Sequence, residues 1–204
     1  MGVINYDKLF KTIDARKVKT RRAIFEAVVQ CMKEKGYADI SITELCNVAR
    51  INRKTFYLHY KSVMDVLDDF ELHIVQGLID IFVERGVMTS ERFDVYGQIM
   101  LMDELVNENK ETFEIIFPLL KAGTFLRKCG TELGKLAFDI MNERPGCFEQ
   151  TVYPFTFVFT ICGIANCYLD WIDFGRQFPV TELAEICERT ITRPLCEILV
   201  PGKE

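Results

Sequence analysis

Three helix-start signals crowd into residues 41–65, and they dictate how this part of the chain can fold. "SITE" at residues 41–44 is a capping box: the Ser41 hydroxyl can accept from the Glu44 backbone N–H, and the Glu44 carboxylate can reach back to the backbone of Ser41. Asn52 is the next residue able to cap a helix, and Ser62 with Asp65 three residues on is the third. A helix that starts after Ser41 must therefore stop before Asn52, and one that starts after Asn52 must stop before Ser62. Upstream, "TRRAIFEAVVQCMKEKG" (residues 20–36) sets Ile24, Phe25, Val28, Val29 and Met32 on one helical face, with Gly36 as its expected stop. Downstream, a long helix is expected from Ser62 to about Val83. The first sixty residues thus read as a longer helix and two short ones, the short pair joined by an "ARI" turn at residues 49–51, with Leu45 and Val48 facing inward. That is a helix-turn-helix layout, although any small three-helix bundle would satisfy it too.

The short helix "RKTFYLHY" carries both aromatic and basic side chains. Phe56 and Tyr60 are four residues apart and share one face. Arg53 and Tyr57, also four apart, share another with Lys54 beside them. The first face suits packing. The second suits the major groove, where Arg53 and Lys54 can donate to guanine and Thr55 can meet a base edge or a thymine methyl. Tyr57, His59 and Lys61 suit phosphate oxygens, and Ser41 and Thr43 add donors at a helix N-terminus. A solvated basic face with one packing tyrosine is the alternative at this point.

Charge is distributed to match. The net charge is −5. Residues 1–61 nevertheless hold thirteen Lys and Arg against six Asp and Glu, whereas residues 62–204 hold twelve against twenty-four. A basic head on an acidic body points to a polyanionic partner for the head.

The remainder reads as helix throughout, for an all-α chain of about nine helices. Ser90 is the expected cap of a helix over "SERFDVYGQIMLMDELVNEN". "KETFEIIFPLLKAG" is expected to be bent or broken by Pro118. "FLRKCGTELGKLAFDIMNERPG" follows, then an apolar helix at about 149–175, and a last one at about 180–199 interrupted by Pro194. The segment "TVYPFTFVFTICGIANCYLDW" is nearly long enough to span a bilayer. Its Pro154, Asn166 and hydroxyls, with no flanking basic cluster, favour a helix buried on all sides, as a subunit interface would bury it. Met1 to Leu9 is mixed and polar and does not read as a secretion signal. The eight cysteines show no C-x-x-C, and His59 and His73 are the only histidines, so the expectation is reduced thiols in a cytoplasmic protein, with no metal and no cofactor. No catalytic constellation stands out: Asp69 and His73 read as a surface pair, and there is no Gly-rich phosphate loop or G-x-S-x-G. An enzyme is not expected.

Residues 20–67, with the helix ending in "KGY", the "SITEL" cap and "TFYLHYKSVMDVL" running into the fourth helix, resemble the N-terminal domain of TetR-family transcriptional regulators. The resemblance implies a DNA-binding domain at 1–66, with its helix-turn-helix at about 41–60, and an effector-binding and dimerisation domain at 67–204. It implies a homodimer on a palindromic DNA operator, Thr43, Arg53, Lys54 and Thr55 facing bases or the groove edge, and Tyr57, His59 and Lys61 on phosphates. "CGIANCYLDWIDFG…PVTELAEI" looks like the two helices that make the family's four-helix dimer interface, which would place Ala165, Leu169, Leu183, Ile186 and Thr190 there. A cavity in the body would take a small, largely apolar effector, lined by Phe117, Phe125 and Phe157 with Asn166 as a polar contact, and release the repressor from DNA. A regulator or activator with no small ligand, controlled by a protein partner, is the alternative. Two positions depart from the family: Arg50 stands where glycine is usual in the turn, and Val63 where lysine often opens the fourth helix.

Overall fold

The computed structural model describes residues 15–88, 94–121, 124–143 and 153–199. Among these are nine α-helices: α1 (Ala15–Met32), α2 (Ile42–Val48), α3 (Arg53–Tyr57), α4 (Val63–Glu84), α5 (Val95–Glu108), α6 (Lys110–Lys121), α7 (Phe125–Glu143), α8 (Tyr153–Asp173) and α9 (Val180–Leu199). A one-turn 3-10 helix, Tyr37–Asp39, lies between α1 and α2. None of the helices is long and apolar enough among the described residues to cross a membrane, α8 included.

The helix starts follow the caps closely. Ser41 Oγ accepts from Glu44 N at 3.3 Å while Ser41 N donates to Glu44 Oε2 at 3.0 Å. Asn52 Oδ1 accepts from Thr55 N at 2.7 Å. Ser62 Oγ accepts from Asp65 N at 3.2 Å, and Ser62 N donates to Asp65 Oδ2 at 3.0 Å. Each cap satisfies donors that a helix start leaves without intrahelical partners. Ser90 lies outside the described residues, and the helix expected there begins instead at Val95. Asp94 receives the Gly97 N–H at 2.8 Å. The approach is close enough that a Cβ on Gly97 would meet an Asp94 carboxylate oxygen at 2.6 Å.

Helix ends were less legible. The first helix stops at Met32, four residues before Gly36, whose φ of −63° is ordinary for any residue. Helix α6 runs unbroken through Pro118, and α9 continues past Pro194. Three other helices end in the same hydrogen-bond pattern. After α2, Ile51 N donates to Cys46 O at 3.0 Å and Arg50 N to Asn47 O at 3.2 Å. After α4, Val87 N donates to Phe82 O and Gly86 N to Val83 O. After α8, Arg176 N donates to Trp171 O and Gly175 N to Ile172 O. This paired closure requires one residue in the left-handed region. Gly86 and Gly175 supply it at φ 71° and 83°, and in the helix-turn-helix Arg50 supplies it at φ 55°.

The described residues fall into two compact units. One comprises Met1–Gly77 with Glu108–Phe125, the other Leu78–Asn107 with Leu126–Glu204. In the first, Ile24, Phe25 and Val28 of α1, Leu45 of α2, Phe56 of α3 and Val66 of α4 are all fully buried. The Phe25 and Phe70 rings meet edge-on at 5.1 Å. Burial of each such ring contributes about 2–3 kcal/mol. Two expectations fail here. Val48 is 43% exposed, because α2 ends on it as the chain turns, and Cys46 takes the inward place beside Leu45. His73 is buried rather than on the surface, its ring 5.7 Å from that of Phe25. In the second unit Ile99, Leu133, Ile161, Ile164, Trp171 and Leu183 form the core, and the buried Gln98 donates through Nε2 to Val87 O at 3.0 Å.

The left-handed Arg50 costs conformational energy that glycine would not. Arg50→Gly is expected to raise the unfolding free energy by about 1 kcal/mol, read as a higher urea midpoint with an unchanged slope.

Candidate nucleic-acid interface

Helix α3 has two chemically distinct sides. Phe56 is fully buried and Tyr60, just past the helix, is 8% exposed, so the two aromatics expected to anchor the helix do so. Arg53, Lys54 and Tyr57 are exposed, with Tyr57 at 56%. Lys61 is exposed as well, and His59 is half-buried with its ring 6.3 Å from Tyr60.

The start of α2 lies beside the start of α3. An Arg53 guanidinium N–H donates to Thr43 Oγ1, which joins two of the residues assigned to the groove. This bond restrains a long side chain before any ligand arrives. Thr55 is half-buried, and its hydroxyl donates to Asn52 Oδ1 at 3.0 Å, so toward a base it can accept or offer its methyl. Ser41 is engaged with Glu44 through both its amide and its hydroxyl. Lys35 forms an ion pair with the same Glu44 carboxylate. The Lys35 ammonium, followed by the Ser41 hydrogen bonds, holds the Glu44 carboxyl down at about 2.

Beneath α3 a polar cluster fixes its position. Asp69 on α4 receives Arg21 Nε of α1 at 2.7 Å, a second guanidinium N–H on its other oxygen, and the Tyr60 hydroxyl at 2.6 Å. Arg21 also lies over the Phe25 ring at 5.4 Å. Burial first, and then the hydrogen bond to Asp69, push the Tyr60 hydroxyl far above the usual tyrosine range, so it remains a donor. His73, one turn beyond Asp69, is driven down to about 4, mainly by burial and then by the Arg21 charge. Sequence reasoning missed this cluster, because Arg21 and Asp69 are 48 residues apart and no local pattern links them. It also missed Leu58, 77% exposed on the same outer surface as Tyr57, although an apolar residue flanked by Tyr57 and His59 was a visible oddity.

The sites assigned to the body are placed as follows. Phe125 is buried, and Phe117 is half-buried with its ring 5.4 Å from Phe113. Asn166 is exposed and donates to Asp170 Oδ2 at 2.8 Å. Phe157 belongs to α8, but its side chain lies outside the described residues. An open hollow of about 480 Å³ in the second unit is lined, among the described residues, by Arg85, Val87, Met100, Leu101, Asp103 and Glu104 together with Gly97, and so not by Phe117, Phe125 or Asn166. Of the residues assigned to a dimer interface, Leu169 and Leu183 are buried inside the second unit, Ala165 is half-buried, and Ile186 and Thr190 are exposed.

Replacing Asp69 with Asn keeps the shape and removes the charge shared by Arg21 and Tyr60. Loss of a part-buried ion pair of this kind costs about 2 kcal/mol. Asp69→Asn should lower the melting temperature, whereas Tyr60→Phe should lower it by less.

No protein-family profile matches the chain. A stretch of 71 residues, 34% of this chain, is 40% identical to the uncharacterised HTH-type transcriptional regulator YxbF of Bacillus subtilis (strain 168). The matched part spans only 19% of that protein's length. The crystal structure of a protein described as a TetR-family transcriptional regulator, from Syntrophomonas wolfei, superposes with a TM-score of 0.61 at 16% identity, over 90% of this chain and 98% of that one. The fatty acid degradation regulator FadR from Bacillus halodurans superposes with a TM-score of 0.51 at 19% identity, over 89% and 96% of the two chains. The fold of this chain is the fold of the TetR-family transcriptional regulators.

Proposed function

We propose that the chain is a sequence-specific DNA-binding regulator of transcription, acting in the cytoplasm as a homodimer on a palindromic operator. The observation that carries this reading is the two-sided helix α3. Phe56 and Tyr60 fasten it from below, while Arg53, Lys54 and Tyr57 are exposed on its outer face. Arg53 and Lys54 donate to base edges, with Thr43 holding Arg53 in place. Tyr57, His59 and Lys61 grip the phosphates. Residues 1–66 serve as the DNA-binding part and 67–204 as the part that dimerises and receives the signal. The likeness to an HTH-type regulator over 71 residues supports the same assignment.

Two-fold pairing is supported by α8. Phe155 and Phe159, four residues apart on one face, are 78% and 80% exposed, and Ile186 on α9 is 41% exposed. Apolar area of that kind is costly to leave in water and suits a second copy of the same surface. Leu169 and Leu183 then serve inside the protomer, and Phe155 and Phe159 take their place at the interface.

In the body, the reading is that of a repressor released by a small molecule through a shift between two dimer states. The hollow beside Arg85 sets Arg85, Asp103 and Glu104 beside Val87, Met100 and Leu101, so an occupant there would meet charged as well as apolar groups. The second reading is control by a protein partner without a small ligand; Asn166, expected to contact a ligand, is exposed and bonded to Asp170 of its own helix.

The DNA assignment is tested with an operator fragment recovered by selection. Lys54→Ala with Tyr57→Ala is expected to weaken binding about thirtyfold, roughly 2 kcal/mol, while the protein stays folded and dimeric. Wild-type affinity should fall steeply with salt, and Lys54→Ala alone should flatten the log–log slope by about one. Unchanged affinity in the double variant, or a flat salt response in the wild type, would contradict the assignment.

A further inference from the structure

The outer side of α3 carries one residue that its polar chemistry does not use. Leu58 closes the helix in the right-handed conformation, at φ −72° and ψ −20°. Its N–H donates to Lys54 O at 3.2 Å and to Thr55 O at 3.3 Å, so it continues the helical spiral. Lys54 and Thr55, four and three residues back, are therefore its neighbours on the helix surface. Lys54 and Leu58 stand two residues to either side of Phe56, and at about 100° per residue each lies about 200° around the helix from it. Both thus point away from the buried ring that anchors α3. Exposure agrees with the phase: Phe56 is fully buried, and Leu58 is 77% exposed, more than Tyr57 at 56%. A lone exposed leucine is ordinary on a protein surface. This one shares its line with Lys54 and Thr55, two of the residues that α3 turns toward the bases.

We propose that Leu58 is a specificity-determining residue that packs on the C5-methyl of one thymine in each half-site. The inference rests on the reading of α3 as the groove-facing helix, and it adds a base to that reading. A leucine has no donor and no acceptor, so a base edge opposite it must offer carbon. Among the standard DNA bases, thymine alone carries a methyl in the major groove. Guanine presents N7 and O6 there, adenine N7 and its amino group, and cytosine its amino group. Contact with the methyl removes apolar surface of both partners from water. Cytosine in the same place has no methyl and leaves the leucine without that contact. Arg53 and Lys54 thus recognise bases by hydrogen bonds, and Leu58 recognises one by its shape and its lack of polarity.

The test measures binding of the full-length protein to an operator duplex recovered by selection, with each thymine in turn replaced by deoxyuridine. That exchange removes the methyl and keeps every hydrogen-bonding group of the base. For the wild type, one thymine in each half-site is expected to lose about fourfold in affinity on exchange, the worth of one methyl taken out of water. Leu58→Ala should bind the thymine and uracil duplexes equally at that position. Its fold should be unchanged by circular dichroism, because the side chain is exposed. Thr55→Ser, which removes the other methyl on this line, should keep the uracil penalty and so separate the two residues. The inference is overturned, with the DNA reading intact, if no exchange weakens the wild type, if the penalty persists in Leu58→Ala, or if Thr55→Ser abolishes it. Failure to recover any sequence-specific operator would instead overturn the DNA reading, and this inference with it.

Discussion

One carboxylate ties α1, α4 and the end of α3 together in the first unit. Asp69 on α4 takes two N–H groups from Arg21 on α1 and the hydroxyl of Tyr60 at the end of α3. A helix of five residues, Arg53–Tyr57, has too few internal hydrogen bonds to persist alone in water. Its position is therefore imposed from outside, by Phe56 in the core below and by Tyr60 tied to Asp69. The price of that clamp is a charged group with only partial access to water, and it is offset because both oxygens of Asp69 are bonded and Arg21 lies over Phe25. Arg53, Lys54 and Tyr57 then face outward from a helix that is held in place from below.

The turn between α2 and α3 expresses the same constraint. Cap residues at Ser41 and Asn52 fix where each helix starts, and the paired closure after Val48 fixes where α2 ends. Arg50 completes that closure in a left-handed conformation that glycine adopts more readily. The sequence departs from glycine there, yet the backbone geometry is the one glycine would supply. The local strain is carried by the bonds around it, notably Ile51 N to Cys46 O at 3.0 Å. A basic side chain at the surface beside α3 is what the substitution adds.

What could be read from sequence follows from the range of each interaction. The caps at Ser41, Asn52 and Ser62 act over three residues, so their spelling is local and visible. The split of Phe56 and Tyr60 from Arg53 and Tyr57 is a matter of helical phase, equally local. Tertiary placement was not legible in that way. Val48 turned outward because the chain reverses after it, and His73 turned inward because Phe25 of α1 covers it. The body was the least legible part. Helix α8 is apolar nearly all round, so phase alone does not say which side meets a neighbouring helix and which stays open. Leu169 and Leu183 are buried within the protomer while Phe155 and Phe159 are exposed, a difference that phase on α8 and α9 did not reveal.

The central claim is that α3 reads DNA bases from a two-fold dimer. Selection of the purified protein against a pool of randomised duplex DNA, followed by sequencing, tests it most directly. The account predicts enrichment of a motif with two inverted half-sites, and a shift of the preferred bases within each half-site when Arg53 is replaced by Lys. Recovery of DNA with no common motif, or a motif indifferent to residue 53 and without two-fold symmetry, would contradict it.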